Sequence, residues 1–408
     1  MGSPSNFGAF SWMGNSPQKS STSNPPSPSR HPRSPLSNAF AGLNLSSSSH
    51  PTLSQALKGS IRAAGFPNWR SISKATGGSR ELQFTVRMNQ GYRIYSPSDA
   101  PNLARDLFQE VQTDIIEIRK RSAKDPWISQ LVSEELTQAM MELVFSSNQI
   151  ERAGLQLDET LKICERIFRG EVVDASSIDE RSQEYANALK ALISRSEPAD
   201  RNHVIRSRRE IIQHALALQH IIQKVAFDNQ PLSEALIRET HEIFTQGIPV
   251  YHQDGNSTPS SAYGGKYRKV IVGASSTNFV HPNKIPVVMK KFIADYNMDL
   301  QRLEENSELD PFWLAAHYCN EFVNIHPFVD GNGRMCRLIL NAILLKYAGV
   351  VISIGEHDAE RKEYMDIAIR ASTEMEGSGE LALLVLKKAT GRFRTLRKKI
   401  LQGKGNKN

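Results

Sequence analysis

The stretch His326-Pro-Phe-Val-Asp-Gly-Asn-Gly-Arg-Met-Cys-Arg337 links two segments that have the apolar periodicity of helices, 311–325 and 338–347. It is therefore predicted to form a loop that opens a helix. Gly331-Asn332-Gly333 falls where backbone N–H groups lack intrahelical partners and where the helix dipole favours negative charge. Glycine also lets the backbone approach an oxygen atom without a Cβ in the way. This turn predicts a phosphate-binding site.

The side chains around the turn suit the same chemistry. His326 has an imidazole that can accept a proton from an attacking hydroxyl, and Pro327 is expected to hold it in an extended conformation. Asp330 offers the carboxylate oxygen that Mg²⁺ takes when it is shared with the phosphates of a nucleotide. Arg334 and Arg337 lie three positions apart on the new helix, and each can hold phosphate oxygens in a planar fork. The segment therefore predicts phosphoryl-type transfer, which depends mainly on positioning and charge stabilisation.

These residues resemble the signature of the Fic family, His-Pro-Phe-x-(Asp/Glu)-Gly-Asn-Gly-Arg-x-x-Arg, at every fixed position. The resemblance extends from about residue 136 to about residue 388. It implies a mainly α-helical bundle with a small β-hairpin flap, in which Phe328 packs into the core to hold the loop. It also implies transfer of the AMP part of ATP to a Ser, Thr or Tyr hydroxyl of a target protein, with release of pyrophosphate. His326 would be the general base, and the residues around it would bind ATP and Mg²⁺.

A second segment resembles the flap of the same family. Gly265-Lys266-Tyr267-Arg268 is followed by an alternating, strand-like stretch, so we place the flap strand at Tyr267 to Val272. A segment of the target protein would pair with this strand as an additional strand. The sequence names no particular target.

The segment Val144 to Arg152 resembles the inhibitory helix of the family, (Ser/Thr)-x-x-x-Glu-(Gly/Asn), with Ser147 and Glu151 at the matching positions. These two residues are four apart and would share one helix face. In the family this glutamate reaches the second arginine of the motif, here Arg337, and blocks productive seating of the γ-phosphate. Arg152 departs from the pattern, because Gly or Asn is expected there. It would either pair with Glu151 or crowd the end of the helix.

Composition and periodicity predict how the chain is organised. Helical periodicity continues from residue 101 onward, and the alternating runs 82–86 and 92–95 predict one small hairpin. We divide the chain into a disordered, basic, Ser/Pro-rich tail at 1–75, an N-terminal helical segment at 76–200 whose inhibitory helix covers about 136–154, a Fic core at 201–390 and a basic end at 391–408.

The tail differs from the rest in charge. Residues 1–80 hold eight basic residues and no acidic one, whereas residues 81–408 hold 42 basic and 43 acidic residues. The remainder is thus near neutral, and we expect no nucleic-acid partner. The spacing of Leu53, Leu57 and Ile61 also fits a short cationic amphipathic helix, as in an organellar transit peptide, an alternative that we rank below a plain or phosphorylated tail.

Other features bear on location. No stretch of 18 apolar residues occurs, so we expect no membrane association. The sequence has three cysteines and no Cys-x-x-Cys pair, which favours reduced thiols and a cytoplasmic or nuclear protein.

Other functions stay open at this point. Transfer of another nucleotide or phosphate group, or removal of AMP, would use the same residues, because the motif holds phosphates and not the base. A non-catalytic binding module would keep the fold, although it has no need of His326, Asp330 and both arginines together. A homodimer is also compatible with the sequence.

Overall fold

A computed structural model describes residues 52–64, 66–67, 69–72, 79–81, 83–94, 98–252, 255–274, 277–373 and 377–405. It is a mainly helical protein, as predicted. Its helices are α1 Leu53–Ala64, α2 Leu103–Ser122, α3 Pro126–Ile150, α4 Leu157–Phe168, α5 Gln183–Ser194, α6 Arg201–Ile222, α7 Glu234–Thr245, α8 Ser260–Tyr263, α9 Ile285–Asn306, α10 Pro311–Ile325, α11 Asn332–Ala348, α12 Asp358–Thr373 and α13 Gly379–Gly405. A π-helical turn, Gln223–Phe227, extends α6, and a 3₁₀ turn, Pro282–Lys284, precedes α9.

The strands are short and occur in pairs. They are β1 Arg70–Ile72, β2 Ser79–Glu81, β3 Thr85–Val86, β4 Val250–Tyr251, β5 Ser257–Thr258, β6 Gly273–Ala274, β7 Thr277–Asn278 and β8 Glu308–Leu309. The pairs β1–β2, β4–β5 and β6–β7 are antiparallel, whereas β3 and β8 are parallel.

The antiparallel pair of α10 and α11 forms the centre of the molecule. Every residue of α11 except Gly333 is buried, as expected for a helix with neighbours on all sides. Helices α3, α6 and α10 pack against it. Asp310 caps α10 by accepting the backbone N–H groups of Phe312 and Trp313, and Gly349, at φ +68°, ends α11. The loop between α10 and α11 is thereby fixed at both of its ends.

The expectation of a disordered tail through residue 75 is wrong for the described residues 53–64. They form α1, which packs on α3 with Leu53, Leu57 and Ile61 almost fully buried. Beyond α1, the indole Nε1 of Trp69 donates to the carbonyl of Tyr347 at 2.9 Å. The i, i+4, i+8 spacing of these residues is the pattern of a helix with one buried face, but the polar composition of the neighbouring residues favoured a disordered tail. Residues 1–51 lie outside the described residues.

Two expectations about strands also need correction. The described residues of these two runs, 83–86 and 92–94, do not pair with each other: Thr85 and Val86 lie parallel to Glu308 and Leu309, and Thr85 donates its N–H to the carbonyl of Ser307 at 2.8 Å. The flap hairpin is formed by β6 and β7, just after the predicted strand 267–272. Residues 267–272 form no strand, and Arg268 bonds instead to the loop between α10 and α11.

The basic end of the chain is used in packing. Along α13, Arg394 pairs with Glu110 of α2 at 2.6 Å, and Arg397 pairs with Asp114 of the same helix at 3.0 Å.

Among the described residues, no helix combines the length and the apolar character that crossing a bilayer requires.

The burial of α1 predicts a measurable contribution to stability. Leu57→Ala should lower the free energy of unfolding by about 2–5 kcal/mol, because it removes a fully buried side chain and leaves a cavity. Lys58→Ala, the next position of the same helix, is the matched control and should change it by less than about 1 kcal/mol. Urea unfolding followed by far-UV circular dichroism measures both. Equal stability of Leu57→Ala and wild type would show that α1 does not pack in solution.

Candidate active site

The loop after α10 is stabilised by its own side chains. The amide of Asn332 bonds twice to the backbone of Phe328: its Oδ1 accepts the N–H and its Nδ2 donates to the carbonyl, both at 2.9 Å. Phe328 is fully buried, where it was expected. Gly331 begins α11 at φ +81°, and a Cβ there would lie 2.7 Å from Cε1 of Phe244. Glycine is therefore required at Gly331 for both its backbone angle and its contacts.

His326 ends α10 in a left-handed conformation, at φ +51° and ψ +60°, and not in the extended one that Pro327 favours. The reason is that its N–H closes the helix by donating to the carbonyl of Phe322 at 3.1 Å. A left-handed non-glycine residue costs about 1 kcal/mol, a strain found more often at functional positions than elsewhere.

The imidazole of His326 has a defined protonation state. Its Nδ1 lies 3.3 Å from the carbonyl oxygen of Val323, which can only accept, so Nδ1 carries the hydrogen and Nε2 carries the lone pair. The ring stacks on Phe279 with centroids 4.0 Å apart. Burial, together with the nearby Arg268, lowers the pKa of His326 to about 4. The ring is thus neutral at physiological pH, the form in which it can act as a base.

Arg334 and Asp330 lie at the start of α11. Arg334 is buried over the ring of Phe244, 4.6 Å from its centroid, and its Nη2 lies 3.4 Å from Oδ2 of Asp330. The Nε and Nη1 atoms of Arg334 are buried without a hydrogen-bond partner in the described structure. Buried donors of this kind are rarely left unsatisfied, so the geometry fits an anion that would accept from them.

Asp330 alone supplies the carboxylate expected for a metal. Its side chain is 33% exposed, and within the described part of the chain no three His, Cys, Asp or Glu side chains cluster closely enough to hold an ion. A single carboxylate fits Mg²⁺, which completes its ligands with phosphate oxygens and water. It does not fit a zinc site, which needs at least three protein ligands.

The residues Ser147, Glu151 and Arg337 come together although they are far apart in sequence. The guanidinium of Arg337 is buried; its Nε donates to Oγ of Ser147 at 2.8 Å, and its Nη2 donates to Oε1 of Glu151 at 2.7 Å. The same Nη2 also donates to the carbonyl of Ser147 at 3.0 Å. A Cβ on Gly333 would lie 2.3 Å from Oε1 of Glu151. The carboxylate of Glu151 thus covers the first turn of α11, where an anion would bind.

Arg152, which stands where the family pattern has Gly or Asn, adopts a left-handed backbone conformation. It follows the end of α3 at φ +54°, and the N–H of Ala153 donates to the carbonyl of Asn148 at 2.9 Å, the bond that closes a helix before a left-handed residue. Gly and Asn tolerate that conformation, whereas arginine does so at a cost. Although both residues are described, Glu151 pairs with Arg337 and forms no ion pair with Arg152. Of the two alternatives, crowding at the helix end is the one that the geometry matches.

Residues that the sequence did not single out hold the end of α3. Nδ1 of His214 donates to Oδ1 of Asn148 at 2.9 Å, and Nε of Arg361 donates to the carbonyl of Ile150 at 2.9 Å. Burial lowers the pKa of His214, and the charges of Arg334 and Arg337 lower it further, so the ring is neutral. No local sequence pattern marks these contacts, because they join helices that are distant in sequence.

Two of the predicted flap residues contact the loop before α11, Arg268 by hydrogen bonds and Tyr267 by its ring. Arg268 is buried; its N–H donates to the carbonyl of Pro327 at 2.9 Å and its Nε to the carbonyl of His326 at 2.7 Å. The ring of Tyr267 lies 5.8 Å from that of Phe328, centroid to centroid. Lys266 is exposed and donates from Nζ to the carbonyl of Ser261 at 2.6 Å.

Gly265 connects the flap to a residue that sequence reasoning missed. The N–H of Gly265 donates to Nδ1 of His241 on α7 at 2.9 Å, and Nε2 of the same imidazole lies 2.9 Å from the carbonyl of Asp330. The ring of His241 also stacks on Phe328 with centroids 3.7 Å apart. The only sequence signal was a histidine on the apolar face of a helix, which indicates a buried residue but not its partners.

The conformation of Arg152 predicts a gain in stability on substitution. Arg152→Gly should raise the free energy of unfolding by about 1 kcal/mol, because glycine adopts positive φ without steric cost. Arg152→Asn should give a smaller gain, and Arg152→Ala, the control that removes the side chain but keeps the Cβ, should give none. Differential scanning calorimetry of the variants measures this order. An equal gain from alanine and glycine would assign the effect to the charge instead.

Parts of this sequence are similar to known proteins. A model of the Fic/DOC family matches residues 231–344. A Fido domain-containing protein of Dictyostelium discoideum is 31% identical over 123 residues, which cover 30% of this chain and 83% of that protein. Protein adenylyltransferase Fic of Drosophila persimilis is 34% identical over 91 residues, which cover 22% of this chain and only 17% of that protein.

A solved structure of a Fic domain-containing signalling protein from Bacteroides thetaiotaomicron is also similar, with a TM-score of 0.49 and 19% identity, covering 74% of this chain and 98% of that chain. The matched residues 231–344 include the loop, the flap and both arginines described above. The alignment with the Dictyostelium protein covers most of that protein at 31% identity. The chain therefore belongs to the Fic/DOC family.

Proposed function

We propose that this protein transfers the AMP part of ATP to a hydroxyl group of a target protein. One arrangement carries the proposal: the neutral imidazole of His326 stands at one end of a loop, and the N-terminus of α11 with the unsatisfied guanidinium atoms of Arg334 stands at the other. A base beside an anion-binding helix end is what the attack of a hydroxyl on a phosphate requires. The name of the Drosophila relative, protein adenylyltransferase Fic, agrees with this chemistry.

In the proposed reaction the hydroxyl oxygen attacks the α-phosphorus, and the bond from that phosphorus to the bridging oxygen breaks. Pyrophosphate leaves with the displaced electron pair, and the hydroxyl proton passes to Nε2 of His326. Arg334 and the first N–H groups of α11 would hold phosphate oxygens. Asp330 would hold Mg²⁺, which, when bound, neutralises charge on those oxygens.

We further propose that Glu151 inhibits the resting protein. Its carboxylate occupies Arg337 and lies over the first turn of α11, next to Gly333. An incoming γ-phosphate would need the same guanidinium and the same side of the helix, and two anions cannot share them without strong repulsion. Binding of ATP in a productive pose therefore requires that Glu151 move away.

The first experiment tests the general base. Incubation with labelled ATP and Mg²⁺, followed by mass spectrometry, should show an adduct of AMP mass on the protein itself, and GTP or UTP should give less. His326→Ala should reduce this transfer by ~10²–10⁴, the contribution of a positioned acid or base, while ATP binding is retained. Because the pKa of His326 is about 4 and the neutral ring is the base, transfer should be constant near neutrality and fall as the pH approaches 4.

The control for that experiment is His317→Ala, which removes a half-buried histidine from the same helix, α10. It should keep transfer within about threefold of the parent protein. Equal transfer by His326→Ala and wild type would refute the assignment of the base. An adduct of another nucleotide mass would move the proposal to that substrate.

The second experiment tests inhibition. Glu151→Gly frees Arg337, so self-modification should rise at least ~10-fold, the equivalent of about 1.4 kcal/mol released from the buried pair. Glu151→Gln should show part of the gain, because it keeps the size and removes the charge. Adding Arg337→Ala to Glu151→Gly should abolish the gain, since the arginine is the group that is freed.

Gln149→Gly is the matched control, because it loosens the same last turn of α3 without touching Arg337. A similar rise in that variant would assign activation to loosening of the helix and not to the carboxylate. Self-modification of Glu151→Gly at the wild-type level, with His326 still essential, would place regulation elsewhere.

A further inference from the structure

The imidazole of His241 bonds to the backbone of two separate segments. On one side its Nε2 lies 2.9 Å from the carbonyl oxygen of Asp330, in the loop before α11. On the other side its Nδ1 lies 2.9 Å from the N–H of Gly265, the first residue of the flap segment, which we define as residues 265–272, the stretch that leads into the β6–β7 hairpin. The residue is fully buried on α7.

Chemistry fixes the direction of both bonds. A carbonyl oxygen only accepts, so Nε2 carries the hydrogen and donates to Asp330. A backbone N–H only donates, so Nδ1 carries the lone pair and accepts from Gly265. One neutral tautomer satisfies both partners and no other form does. Burial lowers the pKa of His241 to about 4, which agrees with a neutral ring.

Each bond acts on a group that the site uses. The carbonyl of Asp330 belongs to the residue whose Oδ2 lies 3.4 Å from Nη2 of Arg334, so fixing the peptide plane limits where that carboxylate can lie. Gly265 is held further by its own carbonyl, which accepts from Nε of Arg238 at 2.8 Å, and its φ of +63° sets the direction of the chain that follows. Three residues later Arg268 bonds to the carbonyls of the His326 loop.

We propose that His241 is a positioning residue that couples the flap to the metal-binding loop through these two hydrogen bonds. The proposal rests on the proposed function, because it assigns target recognition to the flap and Mg²⁺ binding to Asp330. A displacement of the flap is transmitted to the peptide plane of Asp330 through one rigid ring. The ring is fully buried, so its proposed effect is on geometry alone.

Three substitutions separate the two bonds from packing. His241→Asn places an amide oxygen near the position of Nδ1, so it keeps the bond from Gly265 and loses the one to Asp330. His241→Gln reaches the position of Nε2 with an amide donor, so it keeps the bond to Asp330 and loses the one from Gly265. His241→Phe retains a ring that can stack on Phe328 and loses both bonds.

Two readouts do not depend on catalysis. Amide hydrogen exchange of residues 263–269 reports the flap, and the Mg²⁺ dependence of ATP binding, measured by calorimetry in the Glu151→Gly protein, reports Asp330. His241→Gln should speed exchange in the flap about tenfold and leave the Mg²⁺ dependence unchanged. His241→Asn should weaken Mg²⁺-dependent binding about tenfold and leave exchange unchanged. His241→Phe should do both.

Wild-type behaviour of His241→Phe in both readouts would overturn the proposal and leave His241 a packing residue. Identical profiles for the asparagine and glutamine variants would do the same. If the variants fail to fold, ¹⁵N-histidine spectra of the wild-type protein decide: a hydrogen on Nδ1 of His241 at neutral pH contradicts the bond pattern. A clean split of the two readouts without any AMP adduct would keep the coupling and remove the proposed transfer.

Discussion

The turn between α10 and α11 must reverse the chain between two buried helices and still leave the first N–H groups of α11 for an anion. Asn332 resolves this conflict, because its side-chain amide satisfies both backbone groups of Phe328 and so spares the N–H groups of the helix. Gly331 provides the left-handed start that no bulkier residue could take beside Phe244. In the proposed reaction, the groups on this turn would need little rearrangement to face a phosphate, which is the condition for strong electrostatic stabilisation.

Arg334 and Arg337, in the first two turns of α11, are both buried, but their charges are compensated by different partners. Arg337 bonds to Ser147 and Glu151 through its Nε and Nη2, whereas Arg334 has one long contact with Asp330 and two nitrogens, Nε and Nη1, without a hydrogen-bond partner among the described residues. A buried cation lacking partners is costly, so an anion gains most at Arg334. At Arg337 the same anion must first displace a carboxylate. The free-energy cost of binding an anion therefore differs between Arg334 and Arg337, although the sequence motif alone does not distinguish them.

Neutral histidines connect the surrounding helices to this centre. His214, His241 and His326 are all buried, and burial lowers the pKa of each, so every ring has one donor and one acceptor nitrogen. In such a ring one nitrogen donates its hydrogen to a fixed oxygen, and the other nitrogen must then be the acceptor. In His214 and His241 this orients α3, the flap and the loop. In His326 it defines the nitrogen that can take a proton.

The local sequence determined much of this protein. Apolar periodicity located the helices from residue 101 onward, and the twelve residues from His326 to Arg337 identified the loop and the helix that begins at Asn332. The spacing of Ser147 and Glu151 placed both on one face of a helix. These features follow from interactions within a few residues along the chain, which periodicity and spacing report directly.

Only the tertiary structure decided which of these faces meet. The parallel pairing of Thr85 with Glu308 replaced a hairpin that looked plausible locally. Leu53, Leu57 and Ile61 became part of the core because α3 offers them an apolar surface. His241 bonds to two backbone groups that lie far from it in sequence. The choice among distant partners depends on the packing and hydrogen bonding of the whole chain, and no short segment contains that information.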